Sequence, residues 1–476
     1  MIINIMSKST IAAIFSLTMV YPAYAVEPIN FTAGEPASAD DVNANFTDLH
    51  GRVATLEGAG GIPTLVAVDC DADPNALAII AITANTTYDI TGACNGPIYV
   101  NEDGVSLTGT NNATDSIVLP SGLNGEGAIN ASGADDLRIT NLFIDLTNTA
   151  ISDEAGGIFA RNSFVRVRDS RVIGGVYGIN PYRNAIVRLD GTNSITEFSS
   201  NGLIANDLSN INARGQVTLT STRTDGDDIA AVATYRNGVI DLRAGAIISV
   251  EATLGNDEAG YAVFASENST VRIRNNGTVT LSGDVASGRS STVRIEKGTI
   301  TGNIEIHQSS TIEVKNGVVV DGNLDIYDLG SLIMDGGSIS GTIYAETNSV
   351  IVLDEVSHTN SDLEAISLST NSSLLSEGSS LGNFFVFSGA TISMESGSVA
   401  GGEFHNGSIG TIADTSITAD LAIFPSSSIH LVGTSSLNNN NLYLCGTPSY
   451  VEDPVISTAG NSGIINDFSG TDGCRP

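Results

Sequence analysis

Short runs in which apolar and charged residues alternate recur along most of this chain. They begin at Asn162, Asn184, Asn237, Asn268, Ser290 and Ser309, with spacings of 22, 53, 31, 22 and 19 residues. Each opens with a turn residue, continues with a small or apolar one, and then alternates. The gap of 53 holds two units, with a degenerate copy near Ser209. Looser copies follow at Gly330, Asn348, Asn371 and Gly389. Later units carry a second short strand, as in the stretches starting at Gly298, Gly317, Gly337 and Gly378. Alternation with period two puts one set of side chains on a single face. That set is Val165, Val167, Val187, Leu189, Ile240, Leu242, Val271, Ile273, Val293, Ile295, Ile312 and Val314. A repeat near 20 residues without helical periodicity predicts a solenoid in which each strand pairs in parallel with its copy one turn later. The expected fold is therefore all-β, a single parallel β-helix of roughly 16 coils. A propeller or an immunoglobulin-like array would need longer strands and antiparallel hairpins.

The ends read differently. Residues 1–25 have the form of a secretory signal: Lys8, an apolar run from Ile11 to Val20, and the small-x-small site at Ala23 and Ala25. A start at Met6 gives it more usual proportions. The run is too short to cross a bilayer, which takes about 20 apolar residues. Residues 26–61 form a linker with one short helix. Val42, Phe46, Leu49, Val53 and Leu56 are spaced like the a and d positions of a coiled coil. The seam over 42–56 predicts either a homodimer or homotrimer, or a helix docked on its own chain. Residues 62–97 read as an N-terminal cap, 98–437 as the β-helix, and 438–476 as a C-terminal cap.

Composition supports short strands and tight turns. Gly, Ser, Thr, Asn, Asp, Val and Ile dominate, and Trp is absent. A net charge of −33 argues against nucleic acid as a partner. The four cysteines, Cys70, Cys94, Cys445 and Cys474, form an early pair and a late pair. An even count in an exported chain implies disulfides, Cys70–Cys94 and Cys445–Cys474.

Two features could carry chemistry. The outward positions of the repeated strand hold Arg166, Arg168, Arg188, Arg243, Arg272, Arg274 and Arg294. One reading is a track whose guanidinium forks grip an anionic polymer. The other is a ladder of ion pairs, since Asp190, Asp241, Glu296 and Glu313 interleave with the arginines. The second feature is a set of acidic insertions ahead of strands: Asp153 and Glu154; Asp225, Asp227 and Asp228; Asp257 and Glu258. Asp153, Glu154, Asp257 and Glu258 suit calcium. Asp225, Asp227 and Asp228 with Arg243 suit acid–base cleavage of a glycan. The plainer reading is solvated loops. Tyr177, Tyr182, Tyr235 and Tyr261 lie near these insertions and are the best candidates to line a groove.

The entry segments Tyr88 to Gly92 and Val105 to Gly109, followed by Asn-turned coils, resemble the pectate-lyase-like right-handed parallel β-helix superfamily. The resemblance covers roughly residues 65–445 and implies architecture more than activity, because that fold hosts lyases, hydrolases, adhesins and tailspikes. Thr224-Asp-Gly-Asp-Asp is similar to the acids of β-helix polygalacturonases, but their Gly-His-Gly and Arg-Ile-Lys elements do not occur here. The column Asn162, Asn184, Asn237 and Asn268 is similar to that family's asparagine ladder. The expectation is a secreted, periplasmic or outer-surface rod that binds polysaccharide or a cell-surface polymer without cleaving it. A lyase or hydrolase of acidic polysaccharide is the alternative.

Overall fold

The computed structural model describes residues 63–445 apart from 224–228, 245, 251–259, 275–278, 434, 436, 438 and 439. It also describes the backbone of strands Ile456–Thr458 and Ile464–Phe468. The chain divides into two compact units, Met1–Ile62 and Pro63–Pro476. The first lies outside the described residues, and with it the leader, the linker and the 42–56 seam.

The second unit is a parallel β-solenoid of about 16 turns. A typical turn lays one strand on each of three sheets. The first sheet includes Phe164–Arg168, Ile186–Asp190, Asn210–Ala213 and Val239–Leu242. The second includes Arg171–Gly174, Thr192–Thr196 and Gln216–Ser221. The third includes Gly156–Arg161, Tyr177–Tyr182, Asn201–Ala205, Ala230–Thr234 and Tyr261–Ala265. Among the described residues helix is confined to Ala76–Ile79 and a 3-10 turn at Ile151–Asp153.

Register follows the alternation. Val165 pairs with Val187, which pairs with Ile211, and the column continues through Ile240, Val271, Val293 and Ile312. All are fully buried, as are Val167, Leu189, Leu242, Ile273, Ile295 and Val314. Ile211 belongs to the degenerate copy beside Ser209. β-branched side chains suit such a column because each packs on its equivalent one rung below, about 4.8 Å away. In later turns the first and second sheets share continuous strands, such as Ser331–Ile339 and Val350–His358.

The parallel ladder starts inside the segment read as a cap. Thr64–Asp69 pairs with Thr86–Thr91, which pairs with Ser106–Gly109. Cys70 and Cys94 form a disulfide across this first turn. Cys445 is also disulfide-bonded, and Cys474 lies outside the described residues. Replacing Cys70 and Cys94 together by Ser is expected to cost about 3 kcal/mol through loop entropy. Urea unfolding of the oxidised chain and of the double variant measures it; equal midpoints would refute it.

The corner from the third sheet to the first explains the recurrent asparagines. Two successive residues there take left-handed backbone: Arg183 and Asn184, Arg236 and Asn237, Glu267 and Asn268, Thr347 and Asn348. Asn tolerates this conformation better than most residues. Asn162, Asn184, Asn237 and Asn268 are exposed turn residues. They are therefore not an internal amide ladder, which corrects that expectation. The ladder sits at the opposite corner. Asp284 Oδ1 accepts the Asn303 N–H at 2.6 Å, Asn303 Oδ1 that of Asn323 at 3.0 Å, and Asn323 Oδ1 that of Thr342 at 2.9 Å. Next to the exposed asparagines a buried serine column links rungs, with Ser269 N–H on Ser291 Oγ and Ser291 N–H on Ser310 Oγ.

Leu329 occupies a left-handed corner position with φ 67° while 57% exposed. It has strain there and little burial to offset it. Leu329→Asn is expected to stabilise the chain by roughly 0.5–1 kcal/mol. A higher urea midpoint checks this, and a lower one refutes it.

Candidate functional site

The first sheet brings the arginines into two outward columns and pairs most of them. Arg166 stacks on Arg188 in register, and Arg272 on Arg294. Like charges one rung apart repel, so acids at neighbouring positions set the balance. Arg166 meets Asp136 at 3.0 Å, Arg168 meets Asp169 at 3.1 Å, and Arg188 meets Asp190 at 2.8 Å. Arg294 meets Glu296 at 2.7 Å, and Lys315 meets Glu313 at 3.4 Å. Arg243 and Arg274 share Asp241, each with its Nε 2.9 Å from the carboxylate. Asp241 is nearly buried beneath them. Arg243 is thus held in an ion pair with Asp241.

The acidic insertions divide. Asp225, Asp227, Asp228, Asp257 and Glu258 lie outside the described residues. Along the chain they precede Ala230–Thr234 and Tyr261–Ala265 on the third sheet. Asp153 and Glu154 are described. Asp153 Oδ2 accepts the N–H of Ala150 at 3.0 Å and of Gly122 at 3.1 Å, so it ties a turn together. Glu154 has a left-handed backbone; burial raises the pKa of the Tyr177 phenol, and the charge of Glu154 raises it further. Among the described residues no group of three or more His, Cys, Asp or Glu side chains is placed to hold a metal ion.

The third sheet has a different surface. Phe159, Phe264, Tyr344 and Phe385 lie on its outward register positions, and Tyr235, Tyr327, Phe387 and Phe424 directly follow its strands. Among the described residues, every phenylalanine and tyrosine outside the core belongs to this sheet except Phe143 and Phe164. Phe143 and Phe164 are covered by Arg171 and Arg166, with the guanidinium carbons 5.2 and 5.0 Å from the ring centres.

Four rings of this face, Tyr177, Tyr235, Tyr261 and Phe264, border two adjoining cavities. One, of about 510 Å³, is lined by Tyr235, Tyr261, Phe264, Glu267, Arg289, Glu305 and His307 among others. The next, of about 500 Å³, is lined by Tyr177, Asn201, Ile204, Asn206, Tyr235, Arg236 and Glu267. Tyr235 and Glu267 belong to both, so the two form one trough across several rungs. Phe264 lies 5.6 Å from Tyr235 and 5.4 Å from Tyr261, ring centre to ring centre. Arg289 meets Glu267 at 2.8 Å on the wall. Further along, His307 stacks on Tyr327 at 4.9 Å, and Tyr327 meets Tyr344 at a tilt with ring centres 5.6 Å apart. Acids stand among them. Burial raises the carboxyl pKa of Asp325, and the charges of Glu305 and Asp284 raise it further. Burial likewise raises that of Asp284.

Tyr177, Tyr235 and Tyr261 line this trough as the sequence suggests, and Tyr182 lies on the same sheet. Phe264, His307, Tyr327 and Tyr344 escape a sequence reading. Their strands are only three to five residues long, too short for alternation to show which rings share a face. The usable signal was that aromatic residues fall at equivalent points of successive turns.

Comparison with protein-family models, curated proteins and solved structures finds no match to this chain. Its function is therefore argued from its own surface.

Proposed function

We propose that this chain is an exported, pectate-lyase-like right-handed β-helix protein whose third sheet binds a polysaccharide lying along the solenoid axis. The carrying observation is the concentration of partly exposed aromatic rings on that one sheet, around a continuous trough. Binding sites are typically apolar and aromatic concavities with a few polar groups that fix orientation. Ring faces suit the apolar faces of sugars, and Glu267, Arg289, Glu305 and Asn206 offer partners for hydroxyl groups. Export is supported by the signal-like leader and by disulfides, which persist in oxidising compartments. Among the described residues most arginines of the first sheet are ion-paired, which argues against a polymer track running the length of that sheet.

The experiment is affinity electrophoresis of the mature chain through gels containing soluble neutral, acidic and amino polysaccharides. We expect retardation by at least one of them. The Tyr235→Ala, Tyr261→Ala double variant should bind about tenfold or more weakly, since truncating a central aromatic contact commonly costs over 1 kcal/mol. A chain that no polymer retards, or a double variant retarded like the parent, would remove the reading. Cleavage at the same face is the second reading, favoured by the raised carboxyl pKa values of Asp284 and Asp325. Release of reducing ends or unsaturated sugars from a retained polymer would establish it.

A further inference from the structure

We infer that the first sheet carries a separate oxyanion site, formed by Arg272, Arg274 and Arg294, that takes the sulfo group of a sulfated ligand. Three observations converge on it. Arg272 and Arg294 are register partners on neighbouring strands, so their side chains leave the sheet side by side. With Arg274 and Glu296 they line a small cavity of about 200 Å³, room enough for a compact anion.

The local acids are already engaged. Asp241 is taken by Arg243 and Arg274, Glu296 by Arg294, and Glu313 lies between Arg294 and Lys315. Arg272 has no acidic partner among the described residues. The Nε of Arg294 is buried and has no acceptor. Five cations, Arg243, Arg272, Arg274, Arg294 and Lys315, thus face three acids, Asp241, Glu296 and Glu313. The patch carries a surplus of two positive charges on a chain of net charge −33.

An unpaired guanidinium stacked on a second one is unfavourable until an anion bridges them. A buried donor without an acceptor has the same requirement. A tetrahedral sulfo group offers three oxygens to the free Arg272 fork and to the remaining N–H groups of Arg274 and Arg294, and guanidinium geometry matches it better than an ammonium would. Elsewhere on this sheet the Nε of Arg166 is likewise buried without a well-aligned hydrogen bond, but Arg166 and Arg188 each have an acid beside them, Asp136 and Asp190, which Arg272 lacks.

The test uses the mature chain with three probes: sodium sulfate, dextran sulfate and uncharged dextran. Calorimetry is expected to show binding of dextran sulfate and none of dextran. Arg272→Gln should weaken the first about tenfold or more, the loss of a charge-assisted hydrogen bond. Arg272→Lys should recover part of the affinity, and Arg138→Gln, a paired arginine of the same sheet, should leave it unchanged. Arg272 is exposed, so these variants are expected to keep the parent circular dichroism and urea midpoint. Sulfate binding without dextran sulfate binding would keep the site and make a free ion its ligand. Equal losses in Arg272→Gln and Arg138→Gln would reduce the effect to general electrostatics and overturn the inference. So would failure of both anions to bind. The Tyr235→Ala, Tyr261→Ala variant should bind dextran sulfate normally, which separates this result from the fate of the third-sheet reading.

Discussion

Phe404→Ala is expected to destabilise the solenoid by about 3–5 kcal/mol, and Gly410→Val to offset part of that loss. Phe404 is fully buried and meets Phe384 edge-on at 5.2 Å. Its ring also occupies the space where a side chain at position 410 would stand. A Cβ built on Gly410 would lie 2.5 Å from the Phe404 ring. Gly410 holds a rung of the first sheet between Ile392 and Ile429, where neighbouring turns place a large apolar residue. The large and small residues therefore complete each other across the core. Gly410→Val alone should be destabilising through overpacking, by about 1–3 kcal/mol. Together the two changes should cost at least about 1 kcal/mol less than their sum, the mark of residues that share one space. Urea unfolding followed by tyrosine fluorescence and far-ultraviolet circular dichroism supplies the four energies. Strict additivity would sink the argument. Because solenoids can unfold in segments, amide exchange near residues 404–410 should report the same ordering locally.

The second large effect concerns Asp241. Its Oδ2 accepts from Arg243 Nε at 2.9 Å and from Arg274 Nη2 at 3.0 Å, and Arg274 Nε stands 2.9 Å from its Oδ1. Its side chain is 7% exposed, whereas both arginines are about 40% exposed. The anion is thus the buried member. Removing it leaves two guanidiniums facing each other, with Arg272 on the next rung. Asp241→Ala should cost about 3 kcal/mol, at the lower end for breaking a buried pair because the cations retain water. Asp241→Asn keeps the shape and loses the charge, so it should cost somewhat less. Sulfate or phosphate should restore part of the lost stability in both variants. Asp241→Asn unfolding at the parent urea concentration would show that the pair adds nothing.

Both expectations depend on contacts between turns, and so does the division of labour among the faces. The inward valines and isoleucines from Val165 to Val314 were legible because alternation is local, and burial of one face follows from it. The return of the chain near every twentieth residue was legible for the same reason. The Arg stripe was visible too, but its meaning was not. Arg243 has an acid two residues away in sequence, while Arg166 finds Asp136 and Arg274 finds Asp241 only across rungs. The asparagine column was misjudged because a left-handed turn and an amide ladder use the same residue, and only backbone angles and exposure tell them apart.

What the amino-acid order determined by itself was the solenoid's repeat, its apolar interior and the pairing of Cys70 with Cys94, since each follows from short-range pattern or from count and position. What the tertiary structure decided was the surface. Tyr177, Tyr235, Tyr261, Phe264 and His307 are separated by many residues and share no motif. They meet because turns of unequal length bring their strands back to the same side, and side chains become neighbours there only after the coils have stacked.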